Sequence, residues 1–191
     1  MLDRVLAAVA GARQRIVVGP PRPDLPRDVR SVREHPPGAG PVAAAAAGLA
    51  WVDADLVALL AADLPFLTSE AVLALVAALD VPAERASGDP AAQRRAAGDR
   101  ATGERAAGDG APHDGAVYVD DSGRRQFLCG VWRTGSLRAA LDSLGAPEGR
   151  SMRALLGGLR VAEVRAPVGD RPPWFDCDTG DDLYRANRGE P

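Results

Sequence analysis

The sequence contains no lysine. All 23 of its basic residues are arginine, so any cationic clamp for a phosphate must be built from guanidinium groups or backbone amides. Cysteine and histidine are scarce too, at two residues each. Cys129 and Cys177 form no CxxC pair, and His35 and His113 do not fall with them into the spacing of a zinc site. Both cysteines therefore read as small buried hydrophobes in a reducing compartment. An excess of positive charge is also missing. A net charge of -3 and a pI of about 5.4 leave no basic field for counterion release, which excludes nucleic acid as a partner. No run reaches the roughly 18 apolar residues of a membrane span, and no charged leader with an apolar core and cleavage site opens the chain. These absences predict a cytoplasmic protein without a membrane partner.

What is present is an alternation of apolar strands and helices. At 191 residues, 1–191 is expected to be a single domain with a sizeable core. Leu2, Val5, Leu6 and Val9 make a helical stripe that is already running at the second residue, with nothing before it to serve as a cap and Gly11 as a plausible end. "RIVVG", residues 15–19, reads as a short buried strand, and the proline-rich "PPRPDLP" after it as a loop. A second short strand is expected around residues 29–33. In "REHPPGAGPVAAAAAGL", Gly38, Gly40 and Pro41 open an alanine-rich helix that runs to about Gly48. Residues 56–62 are apolar throughout, as in a strand covered on both faces, and they end at Asp63. A helix over residues 69–79 follows, with Val72, Leu73, Val76 and Leu79 as its expected buried stripe. Three strand-helix units in succession predict an α/β, Rossmann-like three-layer domain with a mostly parallel, mixed sheet.

Residues 82–112 interrupt that pattern. "RASGD" and two copies of "RAAGD" recur ten residues apart without the apolar positions a stacked repeat needs, so the segment reads as a disordered low-complexity insertion. Order is expected to resume with a hairpin turning at Asp121, Ser122 and Gly123, then helices over about 135–144 and 152–156 and a strand over 161–164. The closing "WFDCDTGDDLYRAN" reads as a short strand into a helix, with Thr179 and Asp182 spaced as a capping box. That cap leaves Asp176 and Asp178 unexplained.

The candidate chemistry lies at the strand ends. Ligands of open α/β sheets gather at the carboxyl ends of strands, where a carboxylate such as Asp63 can hold a metal or a hydroxyl; Asp and Pro are also common where strands end, and Asp63 can do no more than shape the turn. If Asp63 and Asp178 converge, two carboxylates with open positions suit Mg2+ and its substrate phosphates, and the chemistry is phosphoryl or nucleotidyl transfer. The turn 38–41 feeding a helix N-terminus would let backbone amides approach a ligand closely, or would be only a tight loop.

Taken in order, "MLDRVLAAVAGA", "RIVVG", "REHPPGAGPVAAAAAGL", "LLAADLPFL", "QFLCGVWR" and "FDCDTGDDL" resemble the molybdenum cofactor guanylyltransferases and the wider nucleotidyltransferase group around them. The pair "GPVAA…AGL" and "ADLPFL" is the most specific part. The resemblance implies transfer of GMP from Mg2+-bound GTP to the terminal phosphate of molybdopterin, releasing pyrophosphate. It implies that Asp63 is the magnesium-binding and catalytic aspartate, with Asp178 a second metal candidate. It also implies that Gly38, Gly40 and Pro41 border the nucleotide. His35 stands where the family often has an aspartate near the guanine, which leaves base preference open, and Gly19 where some members have asparagine, so a side-chain contact to the nucleotide is expected to be missing there. Residues 126–130 and 150–152 would face the acceptor, and molybdoenzyme maturation proteins would be transient partners. Family members open with a first strand and a glycine-rich loop carrying a lysine, and this sequence begins where their first helix begins. That strand is therefore expected to be absent here, the fold to continue upstream of Met1, and neighbouring strand edges to be exposed. A cytidylyltransferase on the same scaffold and a non-catalytic pterin-binding relative are the alternatives.

Overall fold

The computed structural model describes residues 1–79, 112–166 and 171–175. The elements run α1 (Leu2–Ala8), β1 (Arg15–Val18), β2 (Val29–Val32), α2 (Pro41–Leu49), β3 (Leu56–Leu60) and α3 (Ser69–Leu79), then β4 (Gly115–Val119), β5 (Arg125–Arg133), α4 (Thr134–Leu144), α5 (Met152–Leu156) and β6 (Val161–Val164). Local chemistry accounts for several boundaries. Pro41 supplies the fixed φ of a first helical turn, and the alanines behind it carry α2 to Leu49. The Thr68 hydroxyl accepts the Ala71 amide at 3.2 Å at the start of α3, and Ser151 caps α5 by accepting from the Ala154 amide at 3.2 Å. Between β4 and β5 the Asp120 carboxylate accepts the amides of Ser122 and Arg124 at 3.0 and 2.8 Å, which closes the expected hairpin.

The strands form two sheets. β1 pairs with β2 in parallel, joined by the proline-rich loop 19–28 rather than by a helix. The second sheet has the order β3-β5-β4-β6; β5 is antiparallel to both neighbours, so β3, β4 and β6 all run the same way. The side chain of Gln14, just before β1, accepts the Asp53 amide at 3.1 Å and donates to the Trp51 carbonyl at 3.2 Å, just before β3. β1 and β3 therefore start from the same side of the molecule.

The second sheet is the middle of three layers. Alternate residues of each strand face opposite cores, as the two-residue period of a strand requires. Leu56, Ala58 and Leu60 of β3, Ala116 and Tyr118 of β4 and Ala162 of β6 join α1 and α3 in one core. Val57, Leu59, Val117, Trp132 and Val161 join α2, α4 and α5 in the other. β4 is buried along its whole length, whereas every residue of β1 and β3 is only half-buried. β4 has a strand on both sides, while β1 and β3 each have one among the described residues.

Two expectations need correction or limit. α3 buries Leu75 and Leu79, with Val72 and Val76 packed beside them, while Leu73 points outward at 64% exposure. The contacting stripe is 72, 75, 76 and 79, and Leu73 lies one position, about 100° of helix, off that face. The insertion expected over 82–112, apart from its last residue, and the closing stretch with Cys177, Asp176, Asp178, Thr179 and Asp182 lie outside the described residues.

Candidate functional site

The residues singled out in the sequence follow the carboxyl ends of strands. Gly19 follows β1, and its amide donates to the Val32 carbonyl at 2.9 Å, sealing the end of the β1-β2 pair. His35 and the turn 38–41 follow β2, and Asp63 follows β3. In a sheet of this kind the crevice beyond the carboxyl ends is where ligands bind.

The turn 38–41 is built for close backbone approach. Gly38 and Gly40 have φ of 77° and 98°, a region that side chains disfavour. The Gly38 amide donates to the Glu34 carboxylate at 2.8 Å, and that bond holds the Glu34 pKa below its ordinary value. Gly40 precedes Pro41 at the N-terminus of the nine-residue helix α2, where unpaired amides and the helix dipole favour an anion. On the other side the Ala39 carbonyl accepts the Gly149 amide at 2.9 Å, which ties this turn to the loop that leads into α5. His35 is exposed in the stretch between β2 and the turn.

Asp63 is half-exposed, between the end of β3 and the buried pair Leu64 and Pro65. The Pro65 carbonyl is held by the Arg4 guanidinium of α1 at 3.3 Å, so the chain on either side of the carboxylate is anchored. Among the described residues its carboxylate has no hydrogen-bond or ion-pair partner and belongs to no cluster of three metal-ligating side chains. A magnesium ion asks for little more than this: it keeps most of its waters and takes one or two carboxylates plus substrate phosphates. The uncommitted carboxylate fits such an ion.

Next to Asp63 lies an aromatic group that sequence reading did not pick out. The rings of Phe66 and Phe175 have centroids 5.6 Å apart, and the Arg171 guanidinium sits 4.8 Å from the centre of the Phe66 ring. A second unforeseen feature is a cavity of about 720 Å³ between the β4-β5 turn and α5, lined by Arg124, Arg125, Phe127 and Arg153. Phe127 falls inside the stretch 126–130 expected to face an acceptor, and Arg153 lies just past 150–152. The signal was present as three arginines in a lysine-free sequence, but only the fold brings the turn and α5 together.

A family model, the MobA-like NTP transferase domain, matches residues 1–164. The chain belongs to that family. As a MobA-like NTP transferase domain it carries a nucleotidyltransferase-like fold, with the mixed sheet and flanking helices described above. None of the curated proteins matches its sequence. Among solved structures the domain is similar to 2-C-methyl-D-erythritol 4-phosphate cytidylyltransferase from Thermus thermophilus, with a TM-score of 0.57 and 20% identity over 98% of this chain and 86% of that one. It is similar as well to 4-diphosphocytidyl-2C-methyl-D-erythritol synthase from Anaerococcus prevotii, with a TM-score of 0.57 and 13% identity over 98% and 84% of the two chains. At such identities these likenesses speak for the fold. Among the described residues no helix of this MobA-like domain is long and apolar enough to cross a membrane.

Proposed function

We propose that this MobA-like domain transfers GMP from GTP to the terminal phosphate of molybdopterin. A phosphate oxygen of the acceptor attacks the α-phosphorus of GTP, the new P–O bond forms as the α–β bridge bond breaks, and pyrophosphate leaves. The observation that carries this reading is the uncommitted Asp63 carboxylate at the end of β3 in a chain of this family. Asp63 would hold Mg2+, which when bound neutralises charge on the transferring phosphate. Asp178 is proposed as a second, weaker ligand. The amides of the turn 38–41 and the N-terminus of α2 would border the nucleotide, with Gly38, Gly40 and Pro41 giving close access and His35 and Gly19 lying beside it. Because phosphoryl-type transfer relies on positioning and charge neutralisation, loss of one anchoring carboxylate is felt directly in turnover. Transient docking to molybdoenzyme maturation proteins would deliver the product.

One observation favours a second reading. The two similar solved structures named above are a cytidylyltransferase and a 4-diphosphocytidyl-2C-methyl-D-erythritol synthase, and a CMP donor with a different phosphorylated acceptor would use the same strand ends. Pyrophosphate release is the direct assay, with Mg-GTP and Mg-CTP each paired with molybdopterin and with 2-C-methyl-D-erythritol 4-phosphate. Release with GTP and molybdopterin, reduced about 100-fold or more in Asp63→Ala, is the expected result. Preference for CTP would move the assignment to the second reading. Full activity of Asp63→Ala would remove Asp63 from the site, and no release with any pair would leave a non-catalytic pterin-binding protein.

A further inference from the structure

We infer that the arginine-lined pocket between the β4-β5 turn and α5 binds the phosphate of the acceptor substrate. The inference rests on the nucleotidyl-transfer reading only in giving that phosphate to the acceptor rather than to the nucleotide. The cavity measures about 720 Å³, and Arg124, Arg125 and Arg153 line it with no acidic side chain among them. Arg125 gives its Nε to Glu163 at 2.8 Å, whereas Arg124 and Arg153 form no ion pair among the described residues. With Arg125 offset by Glu163, Arg124 and Arg153 are left, among the described residues, as unpaired cations at one cavity, and an anion placed between them gains from both. Planar guanidinium donors match phosphate oxygens in pairs, the geometry that phosphate recognition uses.

The turn that carries two of these arginines is held in place. Asp120 accepts the Ser122 hydroxyl at 2.6 Å, the Ser122 and Arg124 amides, and the Gln126 side-chain amide at 3.0 Å. These bonds fix the backbone from which Arg124 and Arg125 extend, which leaves only their side chains to be ordered when a ligand arrives. Phe127 adds an apolar wall, which suits the carbon skeleton of a small phosphorylated molecule better than inorganic phosphate alone.

The position is also right for an acceptor. β4 runs parallel to β3 with β5 between them, so its carboxyl end opens on the same side of the sheet as Asp63. Two strand spacings separate those ends by about 10 Å. An arginine side chain on one side and a nucleotide phosphate near Asp63 on the other can meet across that distance. The loop before α5 is meanwhile bonded to the turn 38–41 through Gly149 and Ala39 at 2.9 Å. The arginine pocket and the nucleotide-bordering turn thus share α5 and its leading loop as a common wall.

The test uses the full chain, inorganic phosphate as probe, and phenylglyoxal labelling of arginine mapped by mass spectrometry. Phosphate is expected to slow labelling of Arg124 and Arg153 at least several-fold while leaving exposed Arg13 and Arg27 unchanged, and to do so equally with Mg-GTP present. Arg124→Gln and Arg153→Gln, both at exposed positions, are expected to weaken phosphate binding about tenfold each by calorimetry while far-UV spectra stay the same. Uniform labelling with and without phosphate would overturn the inference. Protection given by Mg-GTP alone, with phosphate competing, would overturn the assignment to the acceptor, because the pocket would then hold nucleotide phosphates. Binding is read without turnover, so failure to release pyrophosphate would count against the proposed reaction and leave this result standing.

Discussion

Cys129 and Tyr118 lie in the core on the α3 side of the second sheet, and burial pushes each pKa up to about 12. Tyr118 also donates its hydroxyl to the Ala71 carbonyl at 2.9 Å, which uses the protonated form. Each group is neutral when protonated and has a higher pKa folded than unfolded. Stability from both is therefore whole below their ordinary values and is lost as pH rises through the folded values. Urea midpoints are expected to hold steady up to about pH 9 and to fall between there and pH 12, with Cys129→Ala and Tyr118→Phe each flattening the fall. An unchanged slope in both variants would mean that other groups govern alkaline unfolding. The burial of Cys129 was legible from the apolar residues around it. That the Asp63 carboxylate is left without a partner among the described residues was not, because a carboxylate that shapes a turn and one that stands free look identical in sequence.

At the scale of elements, the tightest constraint is where β4 meets β5. Gly115 pairs with Trp132, a fully buried side chain, and a Cβ on Gly115 would lie 2.1 Å from a carbon of the indole ring. Gly115→Ala is expected to destabilise the domain by about 1–3 kcal/mol, since a packed core gives way only by moving side chains off their rotamers. Gly135 in α4 is the comparison. Nothing lies within 4 Å of a Cβ there, and Gly135→Ala should be neutral or stabilising by up to about 1 kcal/mol. Denaturant melts of the two variants decide the matter, and equal midpoints would show that the strand pair relaxes around the methyl group. Runs of apolar residues made the strands and helices legible. Which glycine was a contact point and which was not depended on the β4-β5 register, including the irregularity between Val117 and Tyr118, and the sequence carries no sign of it. The misplacement of Leu73 has the same origin: a helix rich in leucine and alanine offers more than one apolar stripe, and only its neighbours choose.

For the whole molecule, the three-layer α/β arrangement was legible because strand and helix periodicities alternate. Among the described residues β1 and β3 each present one unpaired edge and are half-buried along their length. An unpaired edge lets water reach backbone amides without unfolding the domain, whereas β4, paired on both sides and buried throughout, opens only with its neighbours. Hydrogen exchange should therefore divide the strands. β4 amides are expected to exchange at rates set by global unfolding, and the outward amides of β1 and β3 at least about 100-fold faster through local opening. The Gln14 bridge to Trp51 and Asp53 links the starts of β1 and β3 through a side chain rather than a ladder of backbone bonds, so Gln14→Ala should speed exchange in both strands and leave β4 unchanged. Equal protection of β1, β3 and β4 would mean that the two edges are covered in solution, and protection that grows with protein concentration would identify a second copy as what covers them.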